Sequence, residues 1–188
     1  MESFIKFESL SSSIKQAMKD ITFQDINKIL SKVGFFLTIL LFLLPALTWA
    51  WQGKVIHVTD GDTIVVLTED KNQIRIRLYG IDAPESGQPF GRVATRFVRD
   101  IAALDIVEID EKYLDRYGRT IATVFLPDGT NLNEELVRVG LAWVYTRYCD
   151  EQPMCSRWEM LQQEARENRV GLWVDKDPVP PWEWRRKR

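Results

Sequence analysis

The sequence is poor in the residues that most often build metal and redox sites: one histidine, His57, and two cysteines, Cys149 and Cys155, in 188 residues. Zinc centres made of several histidines or four cysteines are therefore excluded, and so is chemistry that depends on a histidine pair. It also lacks an excess of charge of either sign. Against 27 Asp+Glu stand 25 Lys+Arg, a formal net charge of −2, so an anionic ligand must be held locally rather than by the field of the whole chain. Internal repeats and low-complexity linkers are missing as well. What is present is ordinary globular composition, 45% hydrophobic and 28% charged, and any catalysis must rest on carboxylates, arginines or a hard metal ion.

One long apolar run breaks the uniformity. Residues 33–51 (VGFFLTILLFLLPALTWAW) carry no charge and come close to the minimum length of a membrane-spanning helix. Lys28 and Lys32 precede the run and favour an amino terminus that stays inside, with the remainder exported. Thr48-Trp49-Ala50 offers a small-x-small cleavage site behind Pro45, while the 32-residue segment before the run is long for a signal peptide. A cleaved signal and a retained single-pass anchor both satisfy this pattern. In either case the rest lies outside the cytoplasm, in the periplasm or beyond the cell.

Trp51 to Arg188 has single-domain length, with 20 basic and 23 acidic residues. Lys54–Thr59 and Thr63–Thr68 are β-branched runs joined by Asp60-Gly61-Asp62, which reads as a hairpin. Gln73–Leu78 alternates Ile74, Ile76 and Leu78 with Arg75 and Arg77, a third strand. Phe90–Leu104 turns to helical spacing with Val93, Phe97, Ile101 and Leu104 on one stripe, and Ile106–Ile109 and Thr120–Leu126 supply two more strands. Asn131 with Glu134, and Ser156 with Glu159, predict capped starts for two further helices. The expected fold is α+β, a five-stranded barrel of the oligonucleotide/oligosaccharide-binding (OB) type with three packed helices, behind the N-terminal hydrophobic helix. The corresponding domains are residues 1–32, the apolar segment 33–51, a barrel domain 52–175 and a Trp/Arg-rich tail 176–188.

Several polar motifs interrupt this apolar pattern. Asp60-Gly61-Asp62-Thr63, Arg77 with Asp82-Ala83-Pro84-Glu85, and Asp115-Arg116-Tyr117-Gly118-Arg119 each have an ordinary reading as turn or strand-edge chemistry. In order and spacing together, and with Asn133-Glu134-x-Leu136-Val137-x-x-Gly140-x-Ala142, they resemble the thermonuclease family of staphylococcal-nuclease-like domains. The resemblance runs from about Lys54 to Trp173, and Pro181-Trp182-Glu183-Trp184-Arg185 is similar to the tail of exported bacterial members.

The resemblance implies a Ca²⁺-dependent hydrolase that cuts phosphodiester bonds of DNA and RNA with little sequence preference. Phosphodiester hydrolysis concentrates negative charge on the phosphoryl oxygens, so positive charge must be aimed there. By position, Asp62, Asp82 and the Ala83 carbonyl match the calcium ligands, an oxygen-only set suited to a hard cation. Asp60 matches a supporting acid beside them, and Glu85 the base that polarises the attacking water. Arg77 and Arg119 match the phosphate-clamping pair, where a planar guanidinium can hold two oxygens at once. Tyr117 and Tyr148 match nucleotide-contacting tyrosines. The implied substrate is nucleic acid and the implied state a monomer, with membrane contact only through residues 33–51 if these are retained.

Two features depart from the family pattern. The exported part has an acidic balance, and Ser86-Gly87-Gln88-Pro89 forms a short connection where basic members carry lysines, so attraction for nucleic acid should be local. The terminal Arg185-Arg186-Lys187-Arg188 could hold polyanion or keep the tail solvated, and it reads first as a mobile, solvated charge run. Cys149 and Cys155 would most simply pair in an oxidising compartment, and two reduced thiols are the alternative if the chain stays inside. His57 reads as a surface or packing residue. A non-catalytic binding module or a membrane-anchored interaction domain of the same fold is the rival reading.

Overall fold

A computed structural model describes residues 50–187. The segment 1–32 and nearly all of the apolar run 33–51 lie outside the described residues. Its last two members, Ala50 and Trp51, open strand β1 (Ala50–Val58) and pair with Asp110 and Ile109. Among the described residues no helix is long and apolar enough to cross a membrane.

Five strands close a barrel in the order β1, β2 (Thr63–Leu67), β3 (Gln73–Leu78), β6 (Thr120–Phe125), β5 (Ile106–Leu114). All neighbours are antiparallel except β3 and β6, whose parallel pairing of Ile76–Leu78 with Thr120–Ala122 joins the two halves. This is the OB-type barrel expected. Alternation sets its inside: Val55, Ile64, Val66, Ile76, Leu78, Val107, Ile109 and Val124 are buried. A short ladder of β4 (Ile81–Asp82) and β7 (Trp143–Val144) lies beside it.

Strand β5 runs five residues beyond the expected Ile109. Its apolar alternation fades into Asp110, Glu111 and Lys112, but the ladder with β6 continues through a register shift between Glu111 and Tyr113. Backbone pairing, not side-chain burial, extends it.

Helix α1 (Gly91–Ala102) buries a different face from the one expected. Val93 and Leu104 are exposed, Phe97 and Ile101 half-buried, and the buried residues are Gly91, Ala94, Val98 and Ala102. The small residues win because the helix must approach two loops closely. A Cβ at Gly91 would lie 1.8 Å from the Glu85 carbonyl, and one at Gly61 would lie 2.7 Å from the Ala94 Cβ.

Helix α2 (Leu132–Arg138) starts at Asn131, whose side chain accepts the Glu134 amide. The Glu134 carboxylate does not reach back. It accepts from Arg157 at 2.7 Å and the Trp158 indole at 3.2 Å, tying α2 to α3 (Met154–Glu167). Helix α3 begins two residues before Ser156 and has no side-chain cap; the Ser156 hydroxyl donates to Gln152 instead. The fourth helix, α4 (Pro181–Trp184), was not expected and is followed by a single 3-10 turn over Arg185–Lys187.

Candidate active site

Three chain segments carry the site, each placed by a different physical device. The first is the β1–β2 turn. Its close contact with α1 through Gly61 turns Asp62 inward, where the carboxylate is 3% exposed and accepts the Thr63 hydroxyl and the Ala83 amide, the latter at 2.6 Å. The Asp60 carboxylate accepts the Asp62 amide at 3.0 Å and so fixes the turn. Burial raises the Asp60 carboxyl above its ordinary range, with Arg77 and Thr63 opposing that rise.

The second segment runs from β3 to the start of α1. Arg77 leaves the polar side of β3 and pairs with both buried acids, Asp62 and Asp82; its Nη2 lies 2.7 Å from Asp82 Oδ1 and also donates to the Ile81 carbonyl. Burial pulls the Arg77 guanidinium below its usual value, and Asp82 opposes this. Asp82 is fully buried on β4. Glu85 follows on the loop, its amide donating to the Gln88 side chain at 3.2 Å while Gly91 packs against its carbonyl.

Two buried carboxylates facing one guanidinium would be costly to hold by themselves, since each needs a partner in a low-dielectric setting. The structure supplies a second cation that the sequence reading did not include. Arg185 donates through Nη2 to Asp82 Oδ2 at 2.8 Å, through Nη1 to Asp82 Oδ1 at 3.2 Å, and through Nη1 to Glu85 Oε1 at 2.7 Å. The terminal basic cluster is thus not simply a solvated run. Its first residue sits on the acids because the tail is packed: Pro181 is buried, and Trp182 stacks on Tyr145 at 4.7 Å and meets Trp143 edge-on at 5.7 Å. Gln88 adds a bond to the tail, donating to the Val179 carbonyl at 2.6 Å. The aromatic spacing in Pro181-Trp182-Glu183-Trp184 was the available signal that this tail folds back.

The third segment is the β5–β6 turn. Asp115 accepts the Tyr117 and Arg119 amides and the Arg119 guanidinium, at 2.8 to 2.9 Å. Partial burial would raise the Asp115 carboxyl, but these bonds from Arg119 and Tyr117 hold it below its ordinary value. Tyr117 lies beside Arg116 and Arg119, 4.9 and 5.6 Å from their guanidiniums.

These segments line one cleft of about 730 Å³, whose walls include Asp60, Asp62, Arg77, Glu85, Arg119 and Arg185. Tyr117 and Tyr148 also line it, and both are exposed. Asp82 and Ala83 lie behind this wall, reached through Arg77, Arg185 and Asp62. Cys149 and Cys155 form a disulfide next to Tyr148. His57 is exposed on β1 and away from the cleft lining.

Among the described residues no three carboxylates, histidines or cysteines are grouped as a metal-binding cluster. The chemistry of the acids nevertheless suits a hard divalent cation. Asp62 and Asp82 offer only oxygen, are buried, and converge on the positive charge of Arg77, with a second guanidinium already drawn onto Asp82.

Comparison with known proteins places this arrangement among others. Residues 75–175 match the family described as staphylococcal nuclease homologue. A protein named uncharacterized endonuclease in Escherichia coli is 42% identical over 152 residues, covering 81% of this chain and 96% of its own length. A micrococcal nuclease of Shigella flexneri is 41% identical over 157 residues, 79% of this chain and 87% of the relative. A probable staphylococcal-like nuclease of Oryza sativa subsp. japonica is 40% identical over 117 residues, covering 61% of this chain and 33% of its own.

Proposed function

The chain belongs to the staphylococcal nuclease family, and we propose that it is a calcium-dependent nuclease that hydrolyses phosphodiester bonds of DNA and RNA with little sequence preference. The observation that carries this reading is the pair of buried acids, Asp62 and Asp82, set against Arg77 in the same cleft as Glu85 and Arg119. A module that only binds nucleic acid has no need to bury two carboxylates beside a phosphate-binding arginine.

Asp62 and Asp82, with the Ala83 carbonyl, would hold the ion, and Asp60 would keep the turn that presents Asp62. Bound Ca²⁺ supplies positive charge to the phosphoryl oxygens as negative charge builds on them. Arg77 and Arg119 add donors to the same oxygens, with Asp115 aiming Arg119 through its bonds to Nε and Nη2. Arg119 would also offset charge on the leaving oxygen. Glu85 orients and polarises the attacking water; a carboxylate is a weak base near neutral pH, so its effect comes from placement. Tyr117 and Tyr148 offer aromatic faces for bases, which every base can use, and this agrees with cutting that ignores sequence.

The test uses the full-length chain with single- and double-stranded DNA and with RNA, in calcium and in chelator. Cleavage in calcium alone is expected, with Glu85→Gln and Arg119→Ala each lowering kcat about a hundredfold or more. Intact substrate under every condition refutes the nuclease reading, and cleavage indifferent to both substitutions refutes the residue assignment. We further propose an exported monomer, secreted or held by residues 33–51. The mass of the protein recovered from cells distinguishes cleavage from retention.

A further inference from the structure

Arg185 has no part in the assignment above, yet it makes more ion-pair contacts to the acids than a solvated tail residue requires. Its guanidinium spans both oxygens of the fully buried Asp82 and one oxygen of Glu85. The placement is built and not accidental. Pro181 is buried, Trp182 is stacked on Tyr145, and Gln88 ties Val179 to the loop that bears Glu85. Three contacts far from the guanidinium thus bring it to the acids with little freedom to lose.

A single charge cannot share Asp82 freely with a divalent ion. Both seek the same two carboxylate oxygens, and Asp82 already gives Oδ1 to Arg77 as well. The guanidinium of Arg185 thus opposes cation loading at Asp82, and Glu85 is freed when that guanidinium withdraws from both acids.

We propose that Arg185 is a positioning residue that acts as a tethered counter-cation, holding Asp82 and Glu85 together in the ion-free protein and exchanging places with the divalent ion on loading. This rests on the calcium reading given above. In the ion-free state Arg185 holds one oxygen of Glu85 and offsets its charge. In the loaded state Glu85 is released, so the base becomes fully available when the ion is in place. The exchange also lowers apparent affinity for the ion, since only the fraction of molecules with Arg185 withdrawn can accept it.

Calcium titration calorimetry on the full-length chain, with CaCl2 as the probe, decides the matter. Arg185→Gln should bind calcium about three- to tenfold more tightly than the wild type, the range expected for a half-exposed ion pair. Arg185→Lys, which keeps the charge but not the fork, should fall between them, and it serves alone if the Gln variant does not fold. Arg186→Ala, one residue on and exposed, should match the wild type. Thermal melts give an independent readout. In chelator the Gln variant should melt below the wild type because Asp82 has lost a partner, and the gap should close as calcium is added; a purely structural role leaves the gap unchanged. Equal or weaker calcium binding by the variants, with the wild type binding, overturns the inference alone. No calcium binding by any of the proteins overturns the calcium reading together with it.

Discussion

Arg119 owes its direction to one carboxylate. Asp115 accepts two amides of its own turn and the guanidinium of Arg119, so the same side chain that shapes the β5–β6 turn also orients the guanidinium proposed to bind phosphate. Because these bonds hold the Asp115 carboxyl below its ordinary value of 3.8, its stabilising contribution is complete above that value and is lost as the pH falls through the lowered one. Asp115→Asn should be less stable than the wild type at neutral pH, and the difference should shrink on acidification below 3.8, as read by urea melts at a series of pH values. Its activity should fall mainly through kcat, since Arg119 is misdirected while Arg77 is untouched. The turn motif was legible because each residue is local to its partners; the role of Asp115 as a holder for Arg119 came from the structure. Arg185 was not legible, because its partners lie about a hundred positions away.

At the scale of elements, helix α1 shows how a packing demand overrides a periodic pattern. The larger apolar residues suggested a buried stripe through Val93 and Leu104, but the buried face is Gly91, Ala94, Val98 and Ala102, and at Gly91 and Ala94 the site loops press so closely that larger residues would not fit. Gly91→Ala should push the Glu85 carbonyl away and lower cleavage at least tenfold by the logic that small misplacement of a reacting group is costly, with calcium affinity by titration changing much less. The disulfide restrains a second element. It closes the loop between β7 and α3, and the Cys149 sulfur lies against Gly80, just before the strand that bears Asp82. Replacing both cysteines by serine should cost about 2 kcal/mol from the short closed loop, measured by denaturant melts of wild type and variant without reductant. Asn133 has a comparable structural duty. It is fully buried, accepts the Val124 amide and donates to the Tyr79 and Ala122 carbonyls, joining α2 to the barrel beside β4. The Asn133-Glu134 motif therefore marks packing: Asn133 ties the helix to the barrel, and Glu134, read from sequence only as the partner of the Asn131 cap, also joins the next helix.

For the whole molecule, the absence of basic excess has a measurable consequence. With 20 basic and 23 acidic residues beyond residue 50, the chain offers little long-range attraction for nucleic acid, and the proposed phosphate contacts would reduce to a few arginines in one cleft. Binding of a single-stranded oligonucleotide to Glu85→Gln should weaken with salt at a slope of about −2 in log–log form, as two or three phosphates engaged by the cleft would require. A much steeper slope points to a broad basic surface, contrary to the charge distribution.

The sequence by itself determined the strands, the turns and the motif residues, because alternation, β-branching and turn chemistry act between near neighbours. Asp62, Arg77, Asp82, Glu85 and Arg119 each read singly as turn or strand-edge chemistry, and they were singled out only by the resemblance that the order and spacing of their motifs carries. Which helix face is buried, how far β5 runs, and above all where the C-terminal arginines go were decided only by the tertiary structure. Each depends on groups far apart in the chain: a loop carbonyl over Gly91, the β6 ladder under a polar strand, and the buried Asp82 drawing Arg185 from the tail. The single histidine and two cysteines narrowed the chemistry to carboxylates, arginines or a hard metal ion; only folding placed a third arginine among the acids, since a buried carboxylate takes whatever cation the packed chain can bring to it.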